Sequence, residues 1–285
     1  MTNKILLRLS VRLILPTMTL LLALPITPAR SAGPEMLLGS VAMDVPAEMV
    51  KRLSPLTKYL GDKTGIDLKF RASPNLASAV DDLGAGQTQI AYMTPVAYLE
   101  AHEKYGVVPL VSPFTNGKDS FNLMIVVKKE SPIKSVQELR GKKFALGDEK
   151  ALLQRAVVVG SGIKLEELGS HAFLNHYDNI AKAILHGDFD AGILKDSIAE
   201  KFEAQGLRVI YTSPPLSSYL FAINRKVAPE IIIKLRNAFL ALKPNTPENK
   251  MILSVLDQSY TGFTPVEDKD YNTIRKLIAP FKNKK

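Results

Sequence analysis

The order of apolar patterns along this chain constrains its fold more than any other feature. Short apolar runs of strand length alternate with longer segments whose apolar residues recur at helical spacing. Leu37–Val41 reads as a first strand. From Pro46 to Asp62, Met49, Val50, Leu53, Leu56, Thr57 and Leu60 recur as on a helix, and Gly61 or Gly65 ends it. Asp67–Arg71 alternates like a strand, and Asn75 is placed to cap a helix running to Leu83. Ile90–Met93 is a short strand. Thr94-Pro95 puts a hydroxyl at an N-cap and proline at the first helical position, opening a helix to Tyr105. Asn122–Val127 is an unbroken apolar run, as a strand covered on both faces requires. The rhythm continues to three closing helices near 229–242, 247–256 and 267–280. Such alternation predicts an α/β chain with mostly parallel strands.

The N-terminus reads as an export leader. Lys4, Arg8 and Arg12 precede the apolar stretch Leu13–Leu24, and Ala29-Arg30-Ser31 offers small residues around a cleavage point near Ser31 or Ala32. The apolar stretch is short for a membrane span of about 20 residues. Residues 1–32 are therefore read as a signal peptide, which leaves about 253 residues. The chain has no cysteine, which excludes a lipid-anchored Cys and any disulfide. Of the formal charge of +9, four units sit in the leader (Lys4, Arg8, Arg12 and Arg30, with no acid beside them), leaving near +5. The basic tail Lys282-Asn283-Lys284-Lys285 reads as a solvated terminus, and no nucleic-acid partner is expected. A soluble exported protein of a bacterial periplasm fits all of this.

Catalytic patterns are absent. There is no Gly-x-Ser-x-Gly elbow, no His-Glu-x-x-His and no phosphate loop. His102-Glu103 lacks a second histidine at helical spacing, so no zinc site is expected. No cofactor or metal is expected.

Pro55–Leu60, Leu83–Gly86, Pro95–Tyr98, Ser131–Ile133 and His176–Ala191 carry motifs in an order that resembles the periplasmic phosphate/phosphite/phosphonate-binding proteins of ABC transporters. Pro55-Leu56-Thr57-Lys58-Tyr59-Leu60 with Thr64-Gly65-Ile66 is similar to the family's opening PLxxYLxxxTGx. Leu83-Gly84-Ala85-Gly86 through Ile90-Ala91 resembles LxxGxxDIA, and Pro95-Val96-Ala97-Tyr98 resembles PxAY. Ile125–Val127, Ser131-Pro132-Ile133 and Leu139–Lys142 follow IVVxxDSPIxSxxDLKGK, His176–Ala191 follows HxxxxxAVxxGxVDAG, and Val209–Pro214 follows RVIxxSPP. The resemblance implies a two-lobe type II periplasmic-binding fold with the ligand in a cleft between the lobes. It also implies a monomer that delivers a small molecule to an ABC permease in the inner membrane. The lobes are expected at 33–121 plus 216–285 and at 122–215. A sensory module reporting to a membrane kinase or receptor is the alternative.

The same resemblance supplies candidate ligand residues. Tyr92, Met93 and Thr94 match the end of the family's third strand, where an aromatic contacts ligand. His176 matches a histidine that helps hold the anion, with Asn179 on the same turn. Lys195 ends a strand, and Tyr219 lies near the second crossing between lobes. The family's Ser-Thr-Ser-Gly-like anion-binding run falls at Ala151-Leu152-Leu153. Asp148, Leu152 and Leu153 therefore line an altered turn, where leucines offer no hydrogen bond to an oxyanion. Leu76 stands where another ligand aromatic is usual.

Overall fold

The computed structural model describes residues 35–41, 46–115, 117–149 and 152–282. The expected signal peptide lies outside them. The chain opens with β1 (Glu35–Ser40), α1 (Pro46–Thr64), β2 (Asp67–Ala72), α2 (Leu76–Ala85), β3 (Ile90–Met93), α3 (Pro95–Tyr105) and β4 (Val108–Thr115). It continues through β5 (Ser120–Phe121), β6 (Leu123–Lys128), β7 (Lys143–Leu146), α4 (Leu152–Gly160), β8 (Ser170–Phe173) and α5 (Tyr177–His186). Then come β9 (Ala191–Lys195), α6 (Asp196–Glu203), β10 (Leu207–Thr212), β11 (Leu216–Ser217) and β12 (Leu220–Ile223). The chain closes with α7 (Pro229–Ala241), α8 (Pro247–Leu256), β13 (Tyr260–Pro265) and α9 (Asn272–Lys282).

Two main sheets result. The first runs β13-β4-β12-β3-β1-β2 and the second β10-β6-β9-β7-β8. In each, three parallel strands carry the βαβ units and antiparallel strands complete one side. Parallel strands need long crossovers, and here helices fill them. The chain passes between the sheets twice, and β5 and β11 pair antiparallel at those passages.

Local chemistry sets the helix ends. Asn75 Oδ1 accepts from Ser78 N at 2.9 Å, and Thr94 Oγ1 accepts from Ala97 N at 3.2 Å. Glycines at 86, 106 and 187 end α2, α3 and α5 in the left-handed region. Met49, Leu53, Leu56, Thr57 and Leu60 are the buried stripe of α1. Val50 is not part of it: at 47% exposed it lies a position off the stripe, on the solvent side. The start of α5 has no side-chain cap. His176 holds the N-cap position without a side-chain bond, while Asp178 sits in the first turn and pairs with Lys201 at 2.8 Å. The last of the three expected closing helices starts later than its apolar pattern suggested. A 3-10 turn at Asp268–Tyr271 precedes α9, and the edge strand β13 lies before it.

Three apolar clusters hold these layers. One covers the outer face of the first sheet with α1, α7 and α8, and another lies between the second sheet and α5–α6. The third is continuous from the α2–α3 layer, through Tyr271, Ile274 and Ile278, to Val157 and Val158 of α4 and the facing side of β6 and β7. The C-terminal helix is thus packed against elements of both sheets.

A polar staple fixes that helix to α3. Asp268 accepts from the Tyr98 hydroxyl at 2.7 Å and from Arg275 at 2.8 and 3.1 Å, and His102 Nε2 lies 3.6 Å away. Burial pushes the Asp268 carboxyl up, but the bonds from Tyr98 and Arg275 outweigh it and hold the group below the usual carboxylate value. A depressed carboxylate stabilises the fold above its unfolded pKa of about 4, and that share is lost as pH falls through the folded value. The melting-temperature gap between wild type and Asp268→Asn is therefore expected to be widest near neutral pH and to shrink below about pH 4. A gap that stays constant from neutral to acid pH counts against the staple.

Candidate functional site

The carboxyl ends of β3, β7, β8 and β9 and the starts of α3, α4, α5 and α6 are where an open α/β sheet places ligands. The sequence candidates lie at these ends, with Tyr219 just before β12.

Tyr92 and Met93 are neighbours on one strand and so project to opposite faces. Met93 is fully buried in the cluster that includes α2 and α3. Tyr92 lies on the other face, with its ring stacked on Tyr219 at 5.6 Å between centroids and tilted on Phe221 at 4.9 Å. Its hydroxyl is bonded to that of Tyr260. Burial first, then the neighbouring Tyr260, Tyr219 and Asp257, hold the Tyr92 hydroxyl well above its ordinary pKa. Thr94 is half-buried and spends its hydroxyl on the cap of α3. The half-buried Tyr219 ring lies over that of Tyr92.

Two turns meet on the other sheet. After β7 the chain turns at Gly147 and Asp148, the latter exposed, before α4 begins with Leu152 and Leu153, both half-buried against the core. After β8, Leu174 N donates to Leu146 O at 2.8 Å and Asn175 N to Gly147 O at 2.9 Å, so the two turns are zipped together. Asn175 sits at φ 63°, a left-handed position that asparagine tolerates better than most residues. His176 and Asn179 are exposed, and Asn179 Nδ2 donates to Leu174 O at 3.1 Å.

Lys195 ends β9 half-buried, its ammonium 5.4 Å from the centroid of the Phe121 ring, a cation–π contact with the passage between sheets. The next residue, Asp196, is buried and accepts from Asn122 N at 2.9 Å and Ser197 N at 2.8 Å. The passages are also tied to each other, by Asn122 Nδ2 to Ser213 O at 2.7 Å, and to the first sheet, by Ser112 Oγ to Tyr219 O at 2.9 Å. A cavity of about 230 Å³ lies where they meet, lined by Ser112, Ser120, Ser217, Asp119 and Asp270. It is separate from the candidate residues.

Two residues were missed in the sequence. Gln154 is buried and accepts from Gly147 N at 2.7 Å. Tyr177 is half-buried, with its hydroxyl beside the Gln154 side chain. Burial pushes it up to about 12 against the pull of that side chain, and it lies within electrostatic reach of Tyr219 and Asp196. A glutamine and a tyrosine in two different strand-to-helix turns leave no local signal that they meet.

The family described as the periplasmic substrate-binding protein of the phosphonate ABC transporter matches residues 38–271. The chain belongs to this family. Its members bind substrates for transport and are not enzymes. Among relatives, the phosphate-import protein PhnD of Mycolicibacterium smegmatis is 25% identical over 270 residues, covering 84% of each chain. PhnD1 from Prochlorococcus marinus, solved in complex with methylphosphonate, superposes with a TM-score of 0.69 at 17% identity. That match covers 87% of this chain and 98% of that one. A binding protein component of an ABC phosphonate transporter from Pseudomonas aeruginosa gives 0.63 at 19%, over 86% and 85%. With the strand orders above, these neighbours give the two-lobe type II periplasmic-binding fold, its cleft between the lobes.

Proposed function

We propose that this chain is the periplasmic solute-binding component of an ABC importer whose anion-binding turn has been altered. In this reading residues 1–32 direct export and are removed. The parts 33–121 plus 216–285 and 122–215 close on a small molecule, and the loaded monomer delivers it to an inner-membrane permease. The ligand meets the residues gathered above: Tyr219 in front of Tyr92, Met93 and Thr94 on one side. On the other are Asp148, Leu152, Leu153, His176, Asn179 and Lys195.

One observation carries the altered-turn reading. Where relatives of this type are expected to offer hydroxyls, α4 begins with Leu152 and Leu153 turned against the core. A ligand oxygen left there without a donor costs about 1–3 kcal/mol per group. The preferred ligand therefore has a more apolar body or a different polar group from a phosphonate.

The test is a thermal-shift panel on the exported protein, unfolded and refolded to strip carried-over ligand. The panel holds phosphate, phosphite, alkylphosphonates, sulfonates and small apolar or cationic metabolites. A ligand at about 100 times its Kd stabilises the fold by about 2.7 kcal/mol, a shift of several degrees for a chain of this size. The expected shift comes from outside the phosphorus oxyanions. A shift of that size with methylphosphonate or phosphate sinks the altered-turn reading.

A further inference from the structure

The turn after β7 is closed from within the chain. The Gly147 amide donates to Gln154 Oε1 at 2.7 Å in a buried hydrogen bond, and Gln154 is only 7% exposed. The fit is tight. A Cβ on residue 147 would lie 2.6 Å from Gln154 Nε2 and 3.0 Å from Oε1, so glycine is needed for the carboxamide to lie against the turn. With Oε1 taken by Gly147, the Nε2 hydrogens are left for the Tyr177 hydroxyl, which lies beside the carboxamide. The carbonyls at this strand end are occupied as well, by the amides of Leu174 and Asn175.

A buried backbone N–H takes one strong acceptor and is not left empty. An amide at a strand end, next to a helix start, is a donor that an oxyanion readily uses. Gln154 Oε1 holds that position, so it and a ligand oxygen compete for one hydrogen.

We propose that Gln154 is the specificity-determining residue of the cleft: an internal stand-in for a ligand oxygen, held by Tyr177, that shuts tetrahedral oxyanions out of the turn between β7 and α4. The proposal rests on the altered-turn reading above and supplies its cause. Leu152 and Leu153 bring no side-chain donor to the turn, and Gln154 occupies the Gly147 amide.

The experiment is calorimetric titration of methylphosphonate and of inorganic phosphate into the ligand-stripped exported protein, as wild type, Gln154→Ala and Tyr177→Phe. Amide hydrogen exchange at Gly147 is followed in each. The expected result is no saturable binding by wild type, whose Gly147 amide is protected. In Gln154→Ala that amide loses protection, methylphosphonate binds at least about tenfold more tightly than in wild type, and added ligand restores protection. Tyr177→Phe keeps the ring's packing and gives a smaller gain in the same direction. It also carries the test if Gln154→Ala does not fold. Tight binding by wild type overturns the altered-turn reading and this proposal with it. A silent wild type beside folded variants that are equally silent, or whose Gly147 amide keeps its protection, overturns the role of Gln154 and leaves the altered turn standing.

Discussion

Replacing Phe221 with alanine is expected to cost about 3–5 kcal/mol of stability, the range for emptying a buried aromatic site. Phe221 is fully buried on β12, which lies between β3 and β4. Its ring centroid is 4.9 Å from that of Tyr92, 4.7 Å from Phe239 and 5.8 Å from Phe263. Phe239 and Phe263 are themselves in edge contact at 5.0 Å. The hole therefore opens among stiff rings that cannot all move into it, which favours the upper half of the range. For a chain of this length, 1 kcal/mol moves the melting temperature by about 2–4 °C, so a fall on the order of 10 °C should appear by calorimetry. Urea unfolding should show a lower midpoint at unchanged slope. A loss under about 1 kcal/mol would mean that the aromatic packing does not bear on stability as described. The change also reaches Tyr219, because Tyr92, which stacks on the Tyr219 ring, rests on Phe221.

Tyr271→Ala should be of similar size and more local in its damage. Tyr271 is fully buried, its ring 4.8 Å from Tyr98 and its hydroxyl donating to Ser218 O at 3.3 Å, so it joins α3, the second passage and the start of α9. Removing it costs about 3–5 kcal/mol and frees the base of the helix whose Ile274 and Ile278 share the cluster with Val157 and Val158 of α4. Hydrogen exchange should report lost protection first in α9 and α4, with α1 and α7 protected until global unfolding. Uniform loss across all four helices would argue that α9 is not a separate fastening. Tyr271→Phe removes only the hydroxyl bond and should cost about 0.5–1.5 kcal/mol.

What could be read in the sequence follows from the range of the forces involved. Caps and stops act within one turn, so Asn75, Thr94-Pro95 and the glycines after α2, α3 and α5 announced their helices. The apolar run expected over Asn122–Val127 became the buried strand β6, Leu123–Lys128, because a strand covered on both faces needs apolar residues throughout. β13 escaped because Gly262 and Pro265 interrupt any alternation, and its pairing with β4 shifts register between Tyr260 and Gly262. β5 and β11 are two residues each, too short for a period to form. At the site, the end of β3 was located, but which of Tyr92 and Met93 faces Tyr219 depends on strand parity against layers not yet known. A glutamine in a helical segment carries no local mark of burial. Its burial depends on a glycine seven positions earlier and a tyrosine on another turn, contacts that only the folded chain brings together.

The apolar cluster shared by the α2–α3 layer, α9 and α4 has a kinetic consequence. Parting the lobes along that seam exposes buried side chains to water, at about 25 cal/mol for every Å² of apolar surface. A form with α9 parted from α4 is therefore scarce and slow to arise.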